Sequence, residues 1–250
     1  MAVFRITLIN ELEKLYRKKK VFVAVILSLA VVVIGQLGVL GVRTGFGIRG
    51  TGNAEFSILV LSVVVNSILP LFIALVTIDS FSGEFSHNTM KITLTRPVSR
   101  FKIFLAKITA ITLFILTILF LLLILSLITG FIFNVNSASA KDIFKIILAY
   151  GVSVLPQFIL ALGIVLFANL FKSGVSVFFI SVLAYLGFQV LGLFFTQYAN
   201  LLITTQLSWY TLWLSETFPV LKILRLFLLM VGYGIMLFTA GFYFFDKKEF

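Results

Sequence analysis

The chain has 250 residues, of which 61% are hydrophobic and 12% are charged, and its mean hydropathy is +1.17. A soluble domain is nearer half apolar and a quarter charged, so these values exclude a soluble core and indicate a protein whose solvent is lipid. The formal net charge of +11 does not indicate nucleic-acid binding, because Lys and Arg lie at the ends of apolar runs, where they set topology and contact anionic headgroups. The composition predicts an all-α membrane protein with membrane lipids, and no nucleic acid, among its partners.

The chain begins with a segment that predicts an amphipathic helix, covering residues 1–20. Phe4, Leu8, Leu12 and Leu15 lie on one helix face, whereas Glu11 and the basic side chains are expected to lie off it. This pattern is typical of an interfacial helix that lies on the inner leaflet before the chain enters the bilayer.

Apolar runs long enough to cross a bilayer follow, since a transmembrane helix needs about 20 such residues. Six are predicted, at Val21–Gly41, Phe56–Ile78, Ile103–Phe133, Ile146–Phe171, Val175–Thr196 and Leu226–Phe245. Together they predict one transmembrane domain that covers residues 1–250.

The segment before the last run, residues 197–222, is apolar but differs from the six runs. It clusters Trp209, Tyr210 and Trp213, and it contains Pro219 near its end. A seventh span is the alternative, but the segment is interrupted by the polar groups "TTQ" and "SET". We predict an extracellular re-entrant or interfacial element whose aromatic side chains lie at headgroup depth.

The distribution of Lys and Arg favours an orientation with both termini in the cytoplasm. With the N-terminus inside, 14 of the Lys and Arg residues fall on inside segments and six on outside segments. We therefore expect a multi-pass protein of the cytoplasmic membrane.

Several kinds of chemistry are missing from the sequence. There is no Cys, His87 is the one His, and no G-x-x-x-x-G-K-[ST] phosphate loop occurs. We therefore expect no cofactor, no metal site and no enzymatic activity on this chain. None of the nine acids lies in the middle of an apolar run, which disfavours an ion-coupled secondary transporter. The chain resembles a transporter whose energy comes from a partner.

The polar groups inside the apolar runs are mainly amides and hydroxyls, and five amides stand out. They are Gln36, Asn66, Gln157, Asn169 and Gln189. Asn66 lies near Pro70 and Gln157 follows Pro156, and prolines disturb helices. Two interpretations are open for Asn66, Gln157 and Gln189: hydrogen bonds between helices, or the lining of a translocation path.

The loop between the second and third runs is the longest one predicted to be cytoplasmic. It lies within the stretch "SGEFSHNTMKITLTRPVSRFKIFLAK", which runs from Ser82 to Lys107. Residues 82–91 suit a short helix in the plane of the membrane, and Pro97 then ends any helix and makes a corner. A solvated basic loop is the alternative, but it would not require the acid, the "NT" pair or the proline.

This stretch resembles the signature of ABC-2-type permeases, the membrane subunits of many bacterial ATP-binding-cassette exporters. That family has a Glu, a Thr about five residues later, a Pro-x-Ser-Arg group and a Lys that enters the third span. The matching positions are Glu84, Thr89, Pro97, Ser99, Arg100 and Lys107. The layout of six spans, an N-terminal amphipathic helix and a re-entrant segment is also similar.

The resemblance implies a coupling region over residues 82–101, in which Glu84, Thr89, Pro97 and Arg100 contact or support an ATPase subunit. The N-terminal helix resembles a connecting helix that also reaches the ATPase. A working transporter would contain two permease copies, identical or different, and two ATPase copies that bind ATP and Mg²⁺.

These expectations combine into one predicted function. The chain is expected to be the permease subunit of an exporter that moves an amphipathic substrate, such as a peptide, an antibiotic or a lipid-like molecule, across the cytoplasmic membrane. Antibiotic resistance would be one outcome of such export. The alternatives are a non-transporting scaffold or signalling partner of an ATPase and, less favoured, the secondary transporter.

Overall fold

The computed structural model describes residues 2–46, 52–83, 98–133, 139–171 and 173–248. Across these ranges the chain forms helices and turns and no strand. The predicted all-α class is therefore confirmed.

Six helical segments within the described ranges are long and apolar enough to cross a membrane. In chain order, as spans 1 to 6, they are Lys19–Gly41, Ala54–Ser80, Arg100–Phe133, Ala140–Leu170, Gly174–Phe194 and Val220–Lys247. They confirm the six predicted runs. The helix of span 1 continues to Phe46, and most spans begin a few residues earlier than predicted, because flanking polar and charged residues belong to the same helices.

Spans 2 and 4 are interrupted helices. Their pieces are the α-helices Asn53–Val63 and Leu69–Ser80, separated by a π-helix at Val64–Ile68, and the α-helices Ala140–Val152 and Val154–Leu170. Each interruption lies just before a proline, Pro70 or Pro156. Proline has no N–H to donate to the preceding turn, so a regular α-helical ladder cannot continue through either position.

An acidic side chain caps the first turn of each of these two spans. The backbone N–H of Gly52 donates to the Glu55 carboxylate at 3.1 Å, and the backbone N–H of Ser139 donates to the Asp142 carboxylate at 3.1 Å. Both carboxylates satisfy N–H groups that a helix start leaves unpaired, and they complement the helix dipole.

The N-terminal helix, Ala2–Tyr16, packs against span 3. Leu15 is buried, and Leu8 and Leu12 are partly buried against the core of the bundle. The predicted apolar face therefore contacts protein. Its position at the membrane interface stays a prediction.

Residues 197–222 contain short helices, at Ala199–Leu201, Ile203–Gln206 and Tyr210–Leu214, before span 6 begins. This segment is therefore not a seventh span. Trp209 and Tyr210 are 5% and 2% exposed, and the helix that follows Trp209 packs against the first half of span 4. The depth of the segment in the bilayer stays a prediction.

Spans 2, 3 and 6 meet at one end of the bundle through three phenylalanines. The ring of Phe81 lies 5.8 Å from that of Phe104 and 5.9 Å from that of Phe245, and all three side chains have 0% exposure. Edge-to-face packing of this kind suits aromatic rings. Span 4 joins them, because Ser82 Oγ donates to the carbonyl of Ala168 at 3.2 Å. We call this the N-terminal end of the bundle, since the N-terminal helix also lies there.

Candidate functional site

The ammonium group of Lys107 lies at the centre of the N-terminal end of the bundle. Lys107 belongs to span 3, and its side chain has 0% exposure. Its Nζ donates to Oε2 of Glu11 at 2.9 Å and to the carbonyl oxygen of Ser80 at 2.9 Å, and it lies 5.9 Å from the centre of the Phe81 ring. A buried ammonium requires such partners, because desolvation disfavours an unpaired charge. One side chain thus joins the N-terminal helix, the end of span 2 and span 3.

The position of Glu11 corrects the sequence analysis, which placed this residue off the apolar face of the N-terminal helix. Glu11 is 6% exposed and belongs to the buried face. It lies three residues after Leu8 and four before Leu15, which is the spacing of one helix face. The prediction was wrong because it sorted residues by polarity, whereas the buried Lys107 attracts a carboxylate to that face.

A second ion-pair cluster lies beside the first. Asp79, 21% exposed, accepts from Lys20 at 2.9 Å and lies 3.7 Å from Lys18. These two lysines connect the start of span 1 to the end of span 2. Glu11 also pairs with Lys14 at 3.1 Å. Since these outer lysines are well exposed, their pairs contribute less than the buried one.

Arg100, predicted to belong to the coupling region, is the first residue of span 3 and contacts the end of span 6. Its guanidinium donates to the backbone carbonyl of Asp246 and, at 3.5 Å, to that of Lys248. A cation at the C-terminus of a helix satisfies free carbonyl groups and complements the dipole. Lys248 in turn donates to the carbonyl of Ala168 at the end of span 4, at 3.3 Å.

The other three predicted coupling residues, Glu84, Thr89 and Pro97, lie outside the described residues. The structure does describe the two sides of this region. On one side Ser82 is bonded to span 4, and on the other Arg100 is bonded to the end of span 6. Residues 84–97 are thus flanked by contacts to two further spans.

The three amides proposed for a translocation path all lie near the π-helix of span 2. The Nε2 of Gln157 donates to the carbonyl of Val65 at 2.8 Å. The hydroxyl of Tyr185, in span 5, donates to the carbonyl of Asn66 at 2.6 Å and accepts from Gln189 at 3.1 Å. We call these five residues the polar centre. Of the three amide side chains, that of Gln157 makes a hydrogen bond between spans, which was one of the two open interpretations, whereas those of Asn66 and Gln189 donate within their own spans, to the carbonyl of Ser62 at 2.9 Å and to Tyr185.

Pro70 explains why the polar centre forms here. In an α-helix the N–H of residue 70 would donate to the carbonyl of Asn66, and in a π-helix it would donate to that of Val65. Proline can do neither. Tyr185 and Gln157 supply those missing donors from spans 5 and 4, and carbonyls in a bilayer must be satisfied within the protein.

A comparison of the whole sequence with known families adds an independent finding. A family model described as "ABC-2 family transporter protein" matches residues 7–187. This chain belongs to the ABC-2 transporter family. No curated protein matches its sequence significantly. The match begins within the N-terminal helix and extends into span 5, so it includes both ion-pair clusters and residues 82–101.

Membership confirms the resemblance on which the sequence analysis relied. The chain is a multi-pass membrane component of an ABC transporter, and members of this family associate with an ABC ATPase subunit.

Sequence reasoning identified Lys107 and Arg100 but missed Glu11, Asp79 and Tyr185 as partners. A lysine seven residues into an apolar helix was the available signal for Glu11, since an ammonium at that position requires a carboxylate.

We predict that breaking the buried ion pair of this ABC-2 permease destabilises it strongly. Glu11→Gln leaves the buried ammonium of Lys107 without a carboxylate, and we expect it to lower the free energy of unfolding by about 3–5 kcal/mol. Lys107→Met should lower it less, because Glu11 keeps its ion pair with Lys14. The double variant should recover most of the Glu11→Gln loss, because it leaves no buried charge. Denaturation of the purified protein in detergent measures all three values. Glu13→Gln is the control, since the Glu13–Arg17 pair is exposed and 3.7 Å long; equal losses for Glu11→Gln and Glu13→Gln would contradict the assignment.

We also predict that Tyr185→Phe lowers the free energy of unfolding by about 1–2 kcal/mol, because it removes the hydrogen-bond donor to the carbonyl of Asn66. The same denaturation experiment measures the change. Tyr198→Phe, at a side chain that is 58% exposed, is the matched control and should have little effect. If the two phenylalanine variants are equally stable, the polar centre does not support span 2.

Proposed function

We propose that this chain is the permease subunit of an ATP-binding-cassette exporter that carries an amphipathic substrate, such as a peptide, an antibiotic or a lipid-like molecule, out of the cytoplasm. A separate ATPase chain binds ATP and Mg²⁺ and drives the cycle. Two permease copies and two ATPase copies form the complex, and both permease termini face the cytoplasm.

The observation that supports this proposal most directly is the junction at Lys107. Its ammonium contacts Glu11 and Ser80 within 2.9 Å. The predicted ATPase-binding region, residues 82–101, begins two residues after Ser80 and ends at the start of span 3. A displacement of that region by the ATPase would therefore act on spans 2 and 3 and on the N-terminal helix together, as rigid-body coupling requires.

The placement of acids supports an external energy source. Glu55 and Asp142 lie at helix starts, and Glu11 and Asp79 form ion pairs at the N-terminal end of the bundle. None of these four is a carboxylate at mid-membrane depth, which an ion-coupled transporter usually needs.

Copurification tests the partnership directly. The chain, carrying an affinity tag, is expressed in its native host, purified in mild detergent and analysed for bound proteins. We expect a soluble subunit with a phosphate loop in roughly equal amount. A chain that is stable alone would contradict the proposal and favour a secondary transporter. An ATPase that binds and hydrolyses ATP without any flux would favour a scaffold or signalling role.

We predict that Glu84→Ala abolishes coupling without preventing membrane insertion. Removal of this carboxylate should lower ATP-driven export at least about tenfold, which is within the range of allosteric coupling energies. Export of a fluorescent amphipathic peptide from vesicles that contain the complex measures the effect, together with ATP hydrolysis. Glu216→Ala, at an exposed position far from residues 82–101 in the chain, is the control. Unchanged export in Glu84→Ala would exclude the coupling role.

Orientation gives a separate prediction. Because the chain contains no Cys, single-Cys variants carry one reactive thiol each. In intact cells, a membrane-impermeant maleimide should label Ser137→Cys, between spans 3 and 4, and should spare Asn88→Cys, between spans 2 and 3. After permeabilisation both should react. The reverse pattern in intact cells would place the termini outside.

A further inference from the structure

A cavity lies between spans 2, 4 and 5 and is bordered by the short helix Ile203–Gln206. Its volume is about 80 Å³, and it has an open mouth. This is smaller than the roughly 300–1,000 Å³ of sites that enclose a whole small molecule, so it suits part of a chain and not a complete ligand. Its lining is mainly apolar and includes Pro70, Ala74, Gly163 and Phe167. An alkyl chain is the chemical group that suits such walls.

Two hydroxyl groups in the lining distinguish this cavity from a plain apolar gap. Ser181 and Thr204 are 7% and 3% exposed, and neither hydroxyl has a hydrogen-bond partner among the described residues. By contrast, the buried Ser153 donates to the carbonyl of Ala149 at 2.8 Å, as hydroxyls in apolar helices commonly do. An unpaired hydroxyl in hydrocarbon is unfavourable. Ser28, Ser57 and Thr77 are also buried without a hydrogen-bond partner among the described residues, but Ser181 and Thr204 are the two that line this cavity, and they favour a ligand that carries an oxygen acceptor.

The depth of Ser181 decides between two sources of alkyl chain. It lies eight residues into the 21-residue helix of span 5, which is about 10 Å from the nearer end at 1.5 Å per residue. That position is inside a hydrocarbon layer of about 30 Å, beyond the glycerol region of a resident phospholipid. A single-chain amphiphile, whose head has entered the bundle, can place an oxygen there.

Access from the bilayer is available along span 5. Phe188 of this span and Leu71 of span 2, which both line the cavity, are 41% and 42% exposed. An amphiphile that moves from lipid into the cavity gains little hydrophobic energy, because lipid tails are equally apolar. Its selection would therefore depend on packing and on the hydrogen bond to Ser181 or Thr204.

We infer that this cavity binds the alkyl chain of a single-chain amphiphile, such as a fatty acid or an acylated molecule, whose head oxygen accepts a hydrogen bond from Ser181 or Thr204. Such a ligand belongs to the amphipathic class of the proposed substrate, so its assignment as cargo rests on the proposed function. Binding itself requires no ATPase.

Photolabelling of the full chain in phosphatidylcholine vesicles tests this site. The probe is a palmitate analogue with a diazirine in its chain, and the labelled peptides are identified by mass spectrometry. We expect saturable labelling of residues 70–74, 160–167 and 181–188. Gly163→Leu should reduce it about tenfold or more, because a Cβ at Gly163 enters open space within the cavity. Gly151→Leu is the matched control, since Gly151 lies on the same span, is exposed and also has open space around it.

The double variant Ser181→Ala/Thr204→Val tests the hydroxyl groups and nearly preserves volume. We expect it to weaken probe binding about fivefold, the size of one hydrogen bond. Unchanged binding in this variant would overturn the inference even if Gly163→Leu failed to fold. Equal labelling of Gly163→Leu and wild type would also overturn it.

A phosphatidylcholine probe with the same diazirine forms the second arm. Labelling of the same peptides by this probe, at the strength of the palmitate analogue, would assign the cavity to resident lipid and overturn the inference. Saturable palmitate binding by a chain that copurifies with no ATPase would support the ligand site and contradict the proposed function. Copurification of the ATPase with no saturable palmitate binding would support the proposed function and contradict the ligand site.

Discussion

The structure depends first on the burial of one positive charge. Lys107 lies inside a bundle of apolar helices with no exposed surface, and an ammonium group there is stable only if charge and hydrogen-bonding capacity are matched. Glu11 supplies the charge, the carbonyl of Ser80 accepts a second hydrogen bond, and the Phe81 ring lies nearby. These requirements fix the N-terminal helix against spans 2 and 3, although that helix is too short to be stable alone. A basic segment thereby becomes part of the bundle.

The second constraint is backbone satisfaction in lipid. Pro70 removes a donor from span 2, and the carbonyls of Val65 and Asn66 then require donors from elsewhere. Gln157 and Tyr185 provide them from two other spans. The interruption therefore ties span 2 to its neighbours at mid-length, while Lys107 ties it at its end. A helix that is held at two separate points moves with its partners as one body, which suits a transporter whose force is applied from outside the bundle.

The sequence predicted the six spans because apolar length is a local property that each run carries by itself. It also drew attention to Asn66 and Gln157, since amides beside prolines are visible in the chain. It did not predict Tyr185 as the partner of Asn66, because tyrosine is common in apolar helices and this contact spans 119 positions. Glu11 was misplaced for a similar reason: its partner is 96 positions away, and polarity alone assigned it to the solvent side. Among the predicted coupling residues, Arg100 proved to be bonded to the end of span 6, which no local pattern indicates.

Span 2 connects all the features that bear on function. Pro70 lines the apolar cavity and also causes the π-helix, and Tyr185 lines the same cavity while it donates to the carbonyl of Asn66. A ligand in the cavity would contact both residues, and so would act directly on the interruption in span 2. The same span ends ten residues beyond Pro70, at Ser80, whose carbonyl accepts a hydrogen bond from the ammonium of Lys107. The region proposed to contact the ATPase follows directly. π-helical interruptions are frequent at functional sites, and here the helix that follows the interruption carries both Pro70, at the cavity, and Ser80, at Lys107, so the two contacts move together. Communication between substrate and motor, in the proposed transporter, therefore requires no contact beyond those of a single span.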